Sequence, residues 1–98
     1  MFNWMDASEA KAFGKSLALF FLDRLPPSAQ LADKAFAQKA DKVLHQMDGQ
    51  VLRFRQTHRL NFYKKAQLGN VFKWTLRDAG VNPDYADKLT TRLLLQMK

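Results

Sequence analysis

The sequence predicts an all-α fold, a compact bundle of four or five helices that forms a single domain over residues 1–98. Three observations lead to this prediction. Only four glycines and three prolines interrupt a chain that is rich in alanine, leucine, lysine and glutamine, which are strong helix formers. Apolar residues recur at helical spacing through most of the chain. With 98 residues, of which 47 % are apolar and 26 % charged, the chain can form one hydrophobic core but not two.

The first helix is predicted over residues 7–25. Asp6 is the expected N-cap, and Glu9 follows at the spacing of a capping box, in which each side chain accepts a hydrogen bond from the other residue's backbone N–H. Pro26 and Pro27 end the helix. Its second half is apolar on almost every side, so we expect it to lie in the core or to form a homodimer. The residues expected on its buried face are Ala10, Phe13, Leu17, Phe20, Phe21 and Leu25.

The second helix is predicted over residues 29–48, with Ser28 as its N-cap. Gly49 is expected just after its last residue, because glycine adopts a left-handed conformation there at little cost. The pattern is that of a surface helix with one buried face. The residues expected on that face are Ala32, Phe36, Ala40, Val43, Leu44 and Met47.

Residues 51–62 are open to two interpretations. Their apolar side chains scatter around a helical wheel, whereas with a period of two they alternate with polar and basic side chains, as in a strand. A hairpin would turn at residues 56–58, which lack the glycine, asparagine or aspartate that a tight turn favours. We favour a helix or irregular helix over residues 50–60 and retain a short β-hairpin over 51–62 as the alternative.

The last two helices are predicted over residues 61–79 and 83–97. Asn82 is the expected cap of the final helix, and Pro83 fits its first turn. Gly69 lies inside the preceding helix, where it indicates a tight helix crossing, a kink or a restart. The residues expected to be buried from 61–79 are Phe62, Ala66, Leu68, Gly69, Phe72, Leu76 and Ala79. Those expected from 83–97 are Ala86, Leu89, Leu93, Leu94 and Met97.

The net charge of +7 is confined to residues 50–77, which hold seven Lys and Arg and no acid. Six cations balance six acids in residues 1–49, and three balance three in residues 78–98. A local excess of positive charge attracts polyanions, so this segment is the predicted binding surface. The candidate binding residues are Arg53, Arg55, Arg59, Tyr63, Lys64, Lys65, Trp74 and Arg77.

The predicted function is that of a small non-enzymatic binding or adaptor module, and the predicted partner is an acidic protein. The alternative is an RNA- or DNA-binding protein without sequence specificity. Tyr63, Gln67, Asn70 and Trp74 would form one helix face that could stack on bases, or else the two aromatics lie in the core. The segment has no helix-turn-helix, zinc-finger or RNA-recognition motif, which argues against sequence-specific recognition.

Several kinds of chemistry have no support in the sequence. The chain has no cysteine, so disulfides and thiolate chemistry are excluded. His45 and His58 are isolated, and we predict no metal site, no cofactor and no catalytic activity. The longest apolar run, residues 17–22, is far shorter than the roughly 20 residues of a membrane-spanning helix. We therefore predict a cytoplasmic protein without a membrane span.

Overall fold

The computed structural model describes residues 6–27 and 34–97, which form an all-α bundle of four helices. These are α1 (Ser8–Arg24), α2 (Lys34–Thr57), α3 (Phe62–Asp78) and α4 (Pro83–Gln96). The all-α prediction is confirmed. The hairpin does not form, because residues 51–57 continue α2 and residues 58–61 connect it to α3. Within the described ranges, no helix is long and apolar enough to cross a membrane.

The capping box predicted at the start of α1 is wrong. The N-cap is Ala7, which makes no side-chain cap, so Glu9 occupies the second helical position instead of the third. Asp6 Oδ1 accepts hydrogen bonds from the Ser8 N–H at 3.0 Å and the Ser8 hydroxyl at 2.7 Å. These two bonds to Ser8 hold the pKa of Asp6 below its usual value. Glu9 is thereby left to contact another part of the chain.

The predicted end of the second helix at residue 48 is also wrong. Gly49 lies inside α2, and the one positive φ among the described residues is at Gly80, just after α3. Helix continuation places Val51 four residues after Met47 on the same face, where Val51 is only 2 % exposed. Burial of Val51 offsets the cost of an interior glycine, which is about 1 kcal/mol. The cap predicted at Ser28 and residues 29–33 lie outside the described residues.

Asparagine side chains begin α3 and α4, in agreement with the boundaries predicted near residues 61 and 83. Asn61 Oδ1 accepts a hydrogen bond from the Lys64 N–H at 2.8 Å. Asn82 Oδ1 accepts from the N–H groups of Asp84 and Tyr85 at 2.9 and 3.3 Å. In both helices the cap satisfies N–H groups that have no carbonyl partner within the helix.

The most extensive helix pair is α1 with α3. The two run in the same direction, because Gly14 meets Leu68 and, later in both segments, Pro27 lies beside Gly80. A Cβ atom added to Gly14 would lie 2.5 Å from the main-chain oxygen of Leu68, so the backbones touch at that point. Further along, Gly80 lies beside Pro27 at the end of α1. No short connection joins this pair, because α2 lies between α1 and α3 in the chain. The sequence offered no indication that Gly14 marks the crossing.

The other two helices run opposite to this pair. In α4, Leu94 packs over Gly69 of α3, which agrees with the first of the three alternatives left open at that glycine, a tight crossing. In α2, Phe54 stacks on Phe13 of α1 with ring centroids 4.1 Å apart. Phe36, near the other end of α2, faces the ring of Tyr85 at 6.2 Å.

Most of the predicted core is buried, and the largest fully buried side chains come from α1, α3 and the residues that directly follow α1 and α4. These are Leu17, Phe21, Leu25, Leu68, Phe72, Leu76 and Met97. Four residues expected in the core are exposed instead: Phe62, Ala66, Ala79 and Leu94. Helix periodicity predicted their face correctly but not how far the neighbouring helices extend along it.

Candidate functional site

The connection between α2 and α3 brings basic residues from both helices around one opening. This cationic cleft has a volume of about 400 Å³. Three basic side chains, Arg55, Arg59 and Lys65, line it, and no carboxylate side chain is among its described lining residues. The described residues that line it are Arg55, Gln56, Thr57, His58, Arg59, Leu60, Lys65 and Met97.

The three cations differ in how they are held. Arg55 Nη1 donates a hydrogen bond to the main-chain oxygen of Gln96 at 2.8 Å, which fixes its guanidinium beside the end of α4. Within the described part of the chain, the side chains of Arg59 and Lys65 make no hydrogen bond or ion pair. Their charges are therefore available to an external anion.

His58, in the connection between α2 and α3, contacts α1 through Glu9. Its Nε2 lies 2.6 Å from Glu9 Oε2, and its ring stacks on Phe54 with centroids 4.1 Å apart. Its Nδ1 lies 2.8 Å from the Thr57 hydroxyl. Periodicity could not reveal the Glu9–His58 contact, because it joins two distant segments of the chain.

The order carboxylate, imidazole, hydroxyl in this contact chain is also found in hydrolase triads. Here the Thr57 hydroxyl lies 3.2 and 3.3 Å from the main-chain oxygens of Arg53 and Phe54, which can accept its proton within the helix. Such back-bonding is an ordinary role for threonine at a helix end. We therefore assign this array the structural role of anchoring the α2–α3 corner on α1.

Lys64 belongs to a second, smaller opening of mixed charge. This opening, of about 260 Å³, is also lined by Asp6, Glu9 and Arg59. Lys64 contributes to the lowered pKa of Asp6, after the two hydrogen bonds from Ser8. The positive potential of Lys64 is thus partly balanced by acids of the same protein, unlike that of Lys65.

Arg53 does not reach the cationic cleft. Two residues along a helix turn the side chain by about 200°, so Arg53 and Arg55 lie on nearly opposite sides of α2. Arg53 lines a shallow opening with Phe13, Gln50 and Phe54 instead. The candidate arginines predicted as one cluster are therefore divided between two faces.

Trp74 and Arg77 lie at the other end of α3. Trp74 is 47 % exposed, so its interpretation as a core aromatic is wrong. The Arg77 guanidinium lies 4.6 Å from the indole centroid, and the Lys73 ammonium lies 5.9 Å from it. Nine residues separate Trp74 from Lys65, which is about 13 Å along the axis and half a turn around it.

Tyr63 is partly buried at the start of α3, where it packs against the core. Of the eight predicted residues, the structure thus gathers Arg55, Arg59 and Lys65 in the cationic cleft and leaves five elsewhere. Sequence reasoning missed the contribution of Met97 to the cleft, because α4 meets this corner only through tertiary packing.

Comparisons of the chain with protein-family models, with curated proteins and with solved structures find no match.

Proposed function

We propose that the protein is a non-enzymatic binding module that holds carboxylates of an acidic protein partner in the cationic cleft. One observation carries this proposal: Arg59 and Lys65 converge with Arg55 on a single opening while making no ion pair within the described residues. Placing the charges of Arg59 and Lys65, which make no ion pair within the described residues, around one opening is unfavourable in the free protein. An incoming carboxylate relieves that repulsion and forms charge-assisted hydrogen bonds.

The geometry favours a side-chain carboxylate as the ligand. The guanidinium of Arg55 is already oriented by Gln96, so it loses less freedom when it binds. A cleft of about 400 Å³ takes one or two acidic side chains of a flexible segment. A cytoplasmic location remains a prediction from the sequence.

A second candidate function is binding of single-stranded nucleic acid on the outer face of α3. The exposed Trp74, with Arg77 and Lys73 close to its ring, supports this candidate. Bases stack on exposed aromatic rings without sequence preference, and nearby cations contact phosphates. This surface lies apart from the cationic cleft, so the two functions can be tested separately.

Self-association through α1 has weaker support. Leu19, 50 % exposed, is the exposed large apolar side chain among the described residues of α1. Sedimentation at two protein concentrations tests this homodimer, and a strict monomer at about 100 µM argues against any dimer tighter than about −6 kcal/mol.

Binding of a labelled acidic peptide, rich in glutamate and glycine, tests the main proposal by fluorescence anisotropy. The cleft variant carries Arg59→Glu with Lys65→Glu. Its matched control carries Arg53→Glu with Lys88→Glu, two exposed residues that do not line the cleft. Both variants lower the net charge equally, so a general electrostatic effect weakens both alike. We expect the cleft variant to lose about tenfold or more in affinity, or about 1.4 kcal/mol, and the control about twofold.

Equal losses in the two variants would show that only net charge attracts the peptide and would overturn the proposal.

A labelled single-stranded oligonucleotide, measured across a salt series, tests the second candidate. Trp74→Ala is expected to weaken its binding by roughly fivefold or more if bases stack on this ring. Tighter binding of the oligonucleotide than of the peptide, with that loss in the Trp74 variant, would favour nucleic acid over protein.

A further inference from the structure

Phe62 is the most exposed large apolar side chain among the described residues, at 90 %. It is the first residue of α3 and continues the row of side chains that faces α4. Leu94 packs opposite Gly69, and α4 ends at Gln96. Because the two helices are antiparallel, the first turn of α3 extends beyond the end of α4. Phe62 therefore occupies a position where no described helix covers it.

Phe62 lies next to the cationic cleft. Phe62 and Lys65 are three residues apart on α3, which places their side chains side by side. Ala66, the next neighbour at four residues, is small and exposed, so another chain can approach α3 closely there. Within the cleft itself, Leu60 and Met97 add apolar surface between the charges. Basic side chains and apolar side chains therefore lie close together at the start of α3 and in the cleft beside it.

We propose that the partner segment is an acidic amphipathic helix whose apolar side chain packs on Phe62 and Ala66 while its carboxylates reach Lys65 and Arg59. This inference rests on the proposed function and names its partner more closely. The spacing of Phe62 and Lys65 is that of one helical turn, and a helix presents its own apolar and acidic groups at the same interval. An extended segment, whose side chains alternate every second residue, fits this spacing less well.

Charge selects this occupant over a second copy of the same chain. A symmetric dimer through Phe62 would bring the Arg55, Arg59 and Lys65 of both copies close together. The chain already carries a net charge of +7, so such a contact concentrates like charges. An acidic helix supplies the opposite charge at the rim and an apolar group for Phe62.

Three peptides of equal length and equal negative charge test the proposal by anisotropy. One places leucines on a single face of a glutamate-rich helix, the second has the same composition in scrambled order, and the third has alanine in place of leucine. They are measured with the wild type, with Phe62→Ser, and with the matched control Leu95→Ser. Leu95 is 56 % exposed on α4 and does not line the cleft.

We expect the amphipathic peptide to bind the wild type about tenfold more tightly than either other peptide. Phe62→Ser should remove this advantage and leave binding of the alanine peptide unchanged, whereas Leu95→Ser should preserve it. Far-UV circular dichroism establishes that both variants fold.

Equal affinity for the three peptides, or no effect of Phe62→Ser, would overturn the amphipathic partner and leave the proposed function standing. Failure of all three peptides to bind would instead overturn the proposed function. Sedimentation tests whether a second copy of the chain packs on Phe62 instead. A wild-type dimer that Phe62→Ser dissociates would show that it does and would overturn the proposal.

Discussion

The α1–α3 pair and helix α2 are held in the bundle by different means. At the α1–α3 crossing the two backbones touch at Gly14 and Leu68, and fully buried Leu17 and Phe72 belong to the same core. Contacts of α2 and of the residue after it with the other helices include aromatic and polar contacts at or near the surface. These are the stacking of Phe13 on Phe54, the ion pair of Asp48 with Arg92, the hydrogen bond from Arg55 to the main-chain oxygen of Gln96, and the contact of His58, just after α2, with Glu9.

This difference explains where the binding charges can lie. Desolvating a cation in a close apolar crossing is costly unless the cation is paired. The C-terminal end of α2 and the start of α3 keep their polar groups in water, so Arg59 and Lys65 can remain unpaired within the described structure. The α1–α3 crossing adds close backbone packing to a core that α2 and α4 share, and the α2–α3 corner provides the charged surface.

The largest expected effect on stability is that of Gly14→Ala. The new Cβ would meet the main-chain oxygen of Leu68 at 2.5 Å, and backbone cannot move aside cheaply. Overpacking of about 3 kcal/mol, less about 1 kcal/mol of improved helix propensity, predicts a net loss of about 2 kcal/mol in the free energy of unfolding. Urea denaturation followed by circular dichroism measures it.

Gly49→Ala is the matched control for that substitution. Gly49 lies inside α2, and a Cβ there would meet only the far end of the Arg53 side chain at 3.8 Å. We expect it to raise the free energy of unfolding by up to about 1 kcal/mol. Equal effects of the two substitutions on the free energy of unfolding would contradict the closer packing of α1 at Gly14 than of α2 at Gly49.

Arg92→Met tests the polar attachment of α2. Arg92 donates two hydrogen bonds to the Asp48 carboxylate, at 2.7 and 3.0 Å, and this pairing raises the pKa of Arg92. Both side chains keep about a third of their surface in water, at 36 % and 29 %, so we expect a loss of only about 1 kcal/mol.

Hydrogen exchange should then become faster in α2 than in α1. Lys73→Met serves as the control, because Lys73 lies 4.0 Å from Asp87 and the pair is more open to water. An Arg92 variant as stable as the Lys73 variant would mean that the Asp48–Arg92 pair contributes no more than the more open Lys73–Asp87 pair.

Tyr85→Phe is expected to have a smaller effect that appears only at high pH. Tyr85 packs between Phe21 and Phe36, and burial raises the pKa of its phenol above the ordinary value of about 10. The folded state thus disfavours the phenolate, so this stabilising contribution is present below pH 10 and is lost as the pH rises through the raised pKa.

We therefore expect the unfolding free energy of the wild type to fall more steeply above about pH 10 than that of the phenylalanine variant. Denaturation series at several alkaline pH values measure the two slopes. Parallel slopes would show that the Tyr85 phenol ionises equally well in the folded and unfolded states.

Gly69→Ala should have the smallest effect, although Gly69 also lies at a helix crossing. Its added Cβ would meet the end of the Leu94 side chain at 3.0 Å, and that side chain is partly exposed and can rotate away. The cost of this shift and the gain in helix propensity should cancel to within about 0.5 kcal/mol. A loss as large as that of Gly14→Ala would show that α4 packs as rigidly on α3 as α1 does.

The success of sequence reasoning differed from one helix to the next. Asn82 and Pro83 marked the start of α4 correctly, because capping depends on a few adjacent residues. Gly49 misled the prediction for α2, since the benefit of burying Val51 depends on helices elsewhere in the chain. Phe62 was assigned to the core because periodicity predicts a face and not the length of the neighbouring helix.

The location of the candidate site could be predicted only in part, because its geometry depends on how distant segments of the chain pack together. The segment without acids, residues 50–77, supplies every described lining residue of the cationic cleft except Met97. A linear count of charges could not separate Arg53 from Arg55 or Lys64 from Lys65. Their separation depends on helical direction and on acids such as Asp6, which packs nearby from the segment just before α1.

The sequence by itself determined the all-α class, most of the core and the segment of excess positive charge. These properties follow from local propensity and periodicity, which act over a few residues. Tertiary structure alone decided that α1 lies beside α3, that three cations share one cleft and that Phe62 remains uncovered. Those outcomes depend on where helices cross and end relative to one another, and close packing between distant residues such as Gly14 and Leu68 fixes those positions.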